Sequence, residues 1–366
     1  MLLLPQRVNF TQFAKYGKRS EQCYRQNFSR RVDWLGLNTE LCRQRFKSGG
    51  RRAIAVDPSY ITKNGVKTPG LGRFWSGCAG AVKRGLELLG IGLVDADAKE
   101  CVMLRAVQTP PEQCLKDCGV TLLSWYLTSI LNFKEHLLKL SRHIVADAYF
   151  SVRPFTDGLC GNGFHLISRL RDNADLRYLY IGPRKGGKGR PKEYDGKIVV
   201  RNPDTGRMER VETSFEDGVC YTLVAYSVAL KRKVRLVLYY PEKGACKIFF
   251  STDTSMCAAD IVDIYRTRFQ IEFCFRDAKQ NTGLCDCQAR DLDKLDFHFN
   301  ASFCSLNMAK VYLDKHAPRL SVAGLKSLMY NTYIAHRILS TCGYRPHSSL
   351  NGQLFKELFL IAAPAA

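Results

Sequence analysis

Tyr265, Arg268, Glu272 and Lys279 stand three, four and seven residues apart within Ala258 to Thr282, a stretch whose pattern predicts a helix. At about 100° per residue those steps bring all four side chains back to one face. That face carries one carboxylate among a phenol, a guanidinium and an ammonium. A glutamate in such company suits a divalent cation beside a polyanionic backbone, because the carboxylate holds the cation while its neighbours hold phosphate oxygens. The plainer reading is a solvated helix face in which Arg268, Glu272 and Arg276 form i,i+4 ion pairs. Additional carboxylates in the right place decide between the two.

Two aspartates meet that requirement. Ala53-Ile54-Ala55-Val56-Asp57 predicts a buried strand with an acid at its C-terminal end, and His143 to Ala146 predicts another, followed at once by Asp147. Two strands ending in aspartate at one edge of a sheet set two carboxylates side by side, and a shared divalent cation removes their repulsion. Asp57, Asp147 and Glu272 are therefore the candidate metal ligands. Each aspartate also reads as the opening of a turn, in Asp57-Pro58-Ser59 and Asp147-Ala148-Tyr149. Asp95, Asp97 and Asp157 compete with them, but the first two fall in a polar turn and the third lies beyond the strand edge.

The elements that must hold these acids are legible in outline. After the first strand come two more, Gly90 to Val94 and Cys101 to Val107, around a turn at Asp95 to Lys99. A long helix over about Thr121 to Leu140 then leads to the strand before Asp147. Three strands, a helix and a further strand predict an α/β sheet that is partly antiparallel and then crosses over.

Composition narrows the partner. The chain has 55 Lys plus Arg against 34 Asp plus Glu, a formal +21 over 366 residues, so a polyanion is the expected partner and nucleic acid the first candidate. No apolar run approaches the ~18 residues of a spanning helix, and Met1 to Leu4 is too short for a signal-peptide core. A soluble cytoplasmic protein with no membrane partner is expected. The fifteen cysteines are scattered through apolar runs and read as mostly reduced, buried thiols. Cys114 with Cys118 and Cys285 with Cys287 have no second pair or histidine at zinc-finger spacing. Residues 1–56 hold twelve Lys or Arg against three acids, crowded at Arg30, Arg31, Arg43, Arg45, Lys47, Arg51 and Arg52. They predict a DNA-facing arm or small helical domain, or else a basic leader that touches nothing.

The order Asp57, Asp147 in Asp-Ala-Tyr-Phe, then Tyr265-x2-Arg268-x3-Glu272-x6-Lys279 resembles the DDE transposases of bacterial insertion sequences, and among them the insertion-sequence-four family with its Tyr-Arg-Glu-Lys signature. The match spans roughly residues 50 to 310. The resemblance implies an RNase H-like catalytic core with flanking helices, interrupted by a mainly β insertion, with helical N- and C-terminal segments. It also implies two Mg2+ ions, replaceable by Mn2+, on Asp57, Asp147 and Glu272. Tyr265, Arg268 and Lys279 would bind DNA. The implied reaction is cleavage at terminal inverted repeats and strand transfer into target DNA by a homodimer, in a bacterial cytoplasm at the nucleoid. A transposase-derived DNA-binding protein that no longer cuts is the alternative, and a nuclease sharing the core is a third reading.

The expected division is a basic DNA-binding segment at 1–50, core at 51–160, a mainly β insertion at 161–247, core again at 248–310 and a helical region at 311–366. Within the insertion, Leu176 to Ile181, Tyr221 to Leu230, Val234 to Tyr240 and Lys247 to Phe250 predict strands. Arg184 to Lys192 is its most basic loop, suited to a DNA groove or to a solvated hairpin tip. Relatives of this kind can stack a flipped base on a tryptophan of the insertion, whereas the only tryptophans here are Trp34, Trp75 and Trp125. Beyond Glu272, Phe299 to Leu313 and Val322 to Thr341 predict helices, the second suited to a dimer interface or to packing within the monomer.

Overall fold

The computed structural model describes residues 1–183 and 191–343. The basic stretch 184–190 and everything after Gly343 lie outside those residues. Three helices open the chain: α1 (Phe10–Tyr16), α2 (Glu21–Asn27) and α3 (Trp34–Arg45). Four strands follow: β1 (Arg52–Thr62), β2 (Gly72–Ser76), β3 (Ala81–Asp95) and β4 (Glu100–Gln108). Helices α4 (Glu112–Asp117), α5 (Leu122–Leu131) and α6 (Lys134–Leu138) lead to β5 (His143–Val145), α7 (Arg153–Cys160) and β6 (His165–Leu170). Then come β7 (Leu176–Leu179), β8 (Tyr194–Lys197), β9 (Glu209–Val211), β10 (Val219–Ser227), β11 (Arg232–Tyr240) and β12 (Lys247–Ser251). The chain finishes with α8 (Ala258–Thr267), α9 (Gln270–Asn281), α10 (Leu292–His316) and α11 (Val322–Thr341).

The strands hydrogen-bond into one sheet in the order β2-β3-β1-β5-β6-β12-β11-β10-β7-β8, with β4 added to β3 and β9 to β10. Only β1 with β5 and β5 with β6 run parallel, so the sheet is mixed, as expected from a hairpin series followed by a helical crossover. Alternate residues of β1 enter opposite layers. Ile54 and Val56 pack with Tyr126, Ile130 and Phe150 on one face, and Ala53 and Ala55 pack with Ile271, Cys274 and Phe275 of α9 on the other. The strands β7 to β11 continue the core sheet through the β6–β12–β11 ladder. Tyr226 faces Arg177 and Tyr239 faces Lys247 across neighbouring strands of that ladder.

Several expectations need correction. The helix predicted over Thr121 to Leu140 is two, because the chain leaves α5 at Asn132 and restarts after Phe133. Its apolar spacing survives the break, so periodicity alone cannot reveal it. The strand predicted to end at Asp57 runs on to Thr62, hydrogen-bonded to β3 despite Pro58. By then β5 has ended on the other side, and a proline is tolerated where no ladder exists to break. All fifteen cysteines are free, but only six are buried, and Cys78, Cys114, Cys118, Cys257 and Cys342 are exposed.

The basic N-terminal residues divide into two groups. Arg45 pairs with Glu100 and Asp314, Arg51 with Asp97, Asp260 and Asp263, and Arg52 with Asp95, so these cations serve the fold. Arg30, Arg31 and Lys47 have no acidic partner among the described residues. Helix α3 itself is anchored, since Leu35, Cys42 and Phe46 join the core and Asn38 bonds Asn307 of α10 and the Leu104 carbonyl.

Candidate active site

Strand β1 aims Asp57 at α9. By alternation Asp57 shares a face with Ala53 and Ala55, the face on which α9 packs. Gly90 lies directly across from Asp57 on β3, and a Cβ there would fall 2.7 Å from the Phe275 ring. The missing side chain lets α9 settle onto the sheet at this point, which carries Glu272, one turn earlier than Phe275, toward Asp57. Parallel pairing of Ile54 with Ile144 and Ala55 with Val145 brings in the second aspartate, because two more residues of that register set Asp147 level with Asp57. Asp147 also opens a turn, its Oδ1 accepting the Tyr149 N–H at 3.0 Å.

The four-residue series does not lie on one uninterrupted helix. Arg268 and Phe269 form a tight turn between α8 and α9, with Ile271 N–H donating to the Arg268 carbonyl and Glu272 N–H to that of Phe269. These i→i−3 bonds are of 3₁₀ type. Both residues keep right-handed helical dihedrals, so the apolar spacing runs through the break unmarked. Tyr265 sits on α8, Arg268 in the turn, Glu272 in the first turn of α9 and Lys279 in its last.

Arg268 is the hub. One terminal nitrogen lies 3.4 Å from Asp57 Oδ1 and the other 3.2 Å from Glu272 Oε1, while its Nε is buried without a partner among the described residues. Tyr265 packs beside it, ring centroid 5.8 Å from the guanidinium carbon. Lys279 donates to Ser59 Oγ at 3.0 Å, two residues along β1 from Asp57, and burial pulls its pKa down. Burial pushes the Asp57 carboxyl up to about 7; Arg268 opposes that, while the charges of Glu272, Asp147 and Glu87 add to it. Burial likewise raises the Tyr265 phenol, with Arg268 and Arg169 acting against the rise. Thus Asp57 feels the charges of both Asp147 and Glu272. As arranged, no three His, Cys, Asp or Glu side chains among the described residues are grouped to hold a metal ion. Arg268 instead supplies the positive charge between Asp57 and Glu272. An all-carboxylate set of this kind has the chemistry of a hard-cation site.

Two participants escape the motif reading. Glu87 on β3 is buried beside the aspartates, accepts the Tyr126 hydroxyl at 2.5 Å and has its pKa raised by burial. The sequence does mark it, as a lone acid in the apolar run Leu86 to Leu89. Arg169 on β6 carries no such mark. Asp157, weighed as a competing acid, is held away from the site by Arg153 and Arg232. Asp95 and Asp97 are taken up by Arg52 and Arg51.

Residues 1–217 match the family model described as DDE superfamily endonuclease, and the chain belongs to that superfamily, with the α/β sheet and flanking helices of its RNase H-like fold. Residues 127–308, just under half of the chain, match the model of the transposase DDE domain, which supports a transposase acting on DNA. None of the curated proteins matches it. No helix among the described residues is long and apolar enough to cross a membrane.

Proposed function

We propose that this transposase is of the insertion-sequence-four type and performs cut-and-paste transposition, cleaving at terminal inverted repeats and joining the freed ends to target DNA as a homodimer. The reading rests above all on Arg268, which bonds Asp57 across 211 residues of sequence and Glu272 one turn on, with Asp147 level with Asp57. Asp57, Asp147 and Glu272 are the residues that would hold two Mg2+ ions, or Mn2+ in their place. When bound, such a pair supplies activation of the attacking oxygen and charge stabilisation of the leaving one. The chain's own groups position the DNA. Arg268, once released by its carboxylates, offers a planar fork to a phosphate, and its unpaired Nε adds a donor in the same plane. Lys279 adds a point charge, and Tyr265 packs against Arg268 and limits its rotamers. Glu87 and Tyr126 brace β3 against α5 behind the aspartates.

The test is a plasmid carrying the coding region with its flanking DNA, incubated with the purified protein and magnesium. Asp57→Asn, Asp147→Asn and Glu272→Gln should each lower double-strand cleavage roughly a thousandfold or more, with duplex binding within a few-fold of wild type. Full cleavage by any of the three removes that residue from the site. A wild-type protein that binds the ends and never cuts is the catalytically retired alternative.

A further inference from the structure

The row that holds the two aspartates does not stop at them. Parallel pairing sets Val145 beside Ile167 of β6, and two residues on it sets Asp147 level with Arg169, so Asp57, Asp147 and Arg169 stand abreast on three neighbouring strands. Ala55, Val145 and Ile167 pack in the layer of α8 and α9, and alternation turns the residues two further along to that same face. Neighbouring strands lie about 5 Å apart, which puts the Arg169 backbone about 5 Å beyond Asp147 and about 10 Å beyond Asp57. Two serines fix it there: the Ser168 hydroxyl donates to the Asp147 carbonyl at 2.8 Å, and the Ser151 hydroxyl to the Arg169 carbonyl at 3.0 Å.

Arg169 is exposed between the buried Ser168 and Leu170, and it has no acidic partner among the described residues. The ladder it belongs to continues the pattern. β6 pairs with β12 from Ile167 with Ser251 to Leu170 with Ile248, and the next residue on each chain segment is a cation, Arg171 and Lys247. Both are exposed, and neither forms an ion pair among the described residues, the neighbouring Asp172 included. The Lys247 ammonium rests 5.6 Å from the Tyr239 ring centroid. Leu170 and Ile248 point into the other layer, so Arg169 and Lys247 share the face of the aspartates. Uncompensated cations in line with buried acids fit a polyanion laid across the strands. On the far side of the acids, the hairpin of β2 with β3 sets Arg73 directly opposite Arg84 and Phe74 opposite Lys83, so cations flank the aspartates in both directions.

We infer that the DNA strand held at the three acids runs on across β6 and β12, with Arg169 on the phosphate next to the scissile one and Arg171 and Lys247 on the phosphates beyond it. The chemistry recognised is the phosphodiester backbone: Arg169 offers a planar fork to two oxygens of one phosphate, and Lys247 a point charge. Such contacts read no base; they fix the register of the strand on the acids. The inference rests on the cleavage site proposed above. It directs the strand toward the insertion, through residues outside the Tyr265 to Lys279 series.

The full-length protein would be titrated, in buffer with chelator and no magnesium, with duplexes taken from the DNA flanking the coding region, in which one phosphate at a time is replaced by an uncharged methylphosphonate. In wild type, neutralising the phosphate that Arg169 holds should weaken binding roughly tenfold. Arg169→Ala should bind the unmodified duplex roughly tenfold more weakly, melt at the wild-type temperature and lose the response at that one position while keeping it elsewhere. Arg169→Lys should recover part of the affinity. Replacing Arg169, Arg171 and Lys247 together by alanine should reduce the log–log slope of affinity against salt by about 3. Unaltered binding by Arg169→Ala, a full set of methylphosphonate responses in that variant, or an unchanged slope in the triple variant overturns the inference, as does a wild type that binds no duplex. Cutting is not scored here, so the two proposals fail separately. A protein that shows these responses and never cuts with magnesium keeps this DNA path and loses the cleavage reading; one that cuts while its binding is indifferent to Arg169 does the reverse.

Discussion

Asp57 occupies a position where burial and function oppose each other. Its carboxyl lies under α9, with a guanidinium at 3.4 Å and three further acids close enough to act on it, and burial wins, setting its pKa at about 7. An ordinary carboxylate titrates near 3.8, so between those values the folded chain holds a proton that the unfolded chain has released. The stabilisation is complete below the lower value and is lost as pH rises through about 7. Metal-free protein should therefore lose stability from pH 5 to pH 8, by an amount on the order of a few kcal/mol. Asp57→Asn should flatten that dependence. Urea denaturation of both proteins across the range provides the measurement, and parallel curves would mean that Asp57 is ionised throughout. Cation binding acts in the opposite direction, because it requires the deprotonated form.

At the scale of elements, the site depends on how closely α9 lies on β1 and β3. Gly90 permits that approach, since a Cβ there would meet the Phe275 ring at 2.7 Å and the Met103 methyl at 3.2 Å. Gly90→Ala should cost about 1–3 kcal/mol in urea denaturation through overpacking. It should also lower cleavage by lifting Glu272 from Asp57, and Gly90→Ala with Phe275→Leu should recover part of both. Independent, additive effects of the two substitutions would show that this contact does not set the spacing. This contact explains what the sequence could and could not disclose. The strands around Ile54, Ile91 and Val145, the later strands β7, β10, β11 and β12 and the helix at Val322 to Thr341 are legible because their periodicity or apolar run is uninterrupted, whereas the polar β8 and β9 are not. The turn at Arg268–Phe269, the break at Asn132–Phe133 and the continuation of β1 through Pro58 are not, because each preserves the apolar spacing around it. Acid identities were readable from strand ends and helix spacing. Arg268 as the link between Asp57 and Glu272, and Glu87 as their neighbour, require the packing of two layers that sequence spacing does not encode.

For the molecule as a whole, the question is where a formal +21 is spent. Arg45, Arg51 and Arg52 are bound to acids within the fold, so they are unavailable to DNA without breaking those pairs. Arg73, Lys83 and Arg84 on the β2–β3 hairpin, and Arg30, Arg31 and Lys47 near the N-terminus, are not paired with acids among the described residues, and Arg73 lines a cavity beside Asp57 and Asp147. Each cation that neutralises a phosphate releases counterions and steepens the fall of affinity with salt by roughly 0.9 on a log–log plot. If the hairpin is a DNA surface, Arg73→Ala with Arg84→Ala should reduce that slope by about 2 for any duplex. The same pair should leave thermal stability unchanged or raise it, since the facing guanidiniums repel each other when no phosphate lies between them. Substituting Arg51 instead should lower stability and barely move the slope, because Arg51 answers to Asp97, Asp260 and Asp263. Filter binding across a salt series and a melting curve for each variant separate the two kinds of cation. A hairpin variant that melts early with its slope intact would place Arg73 and Arg84 among the structural charges and leave the DNA path elsewhere on the surface.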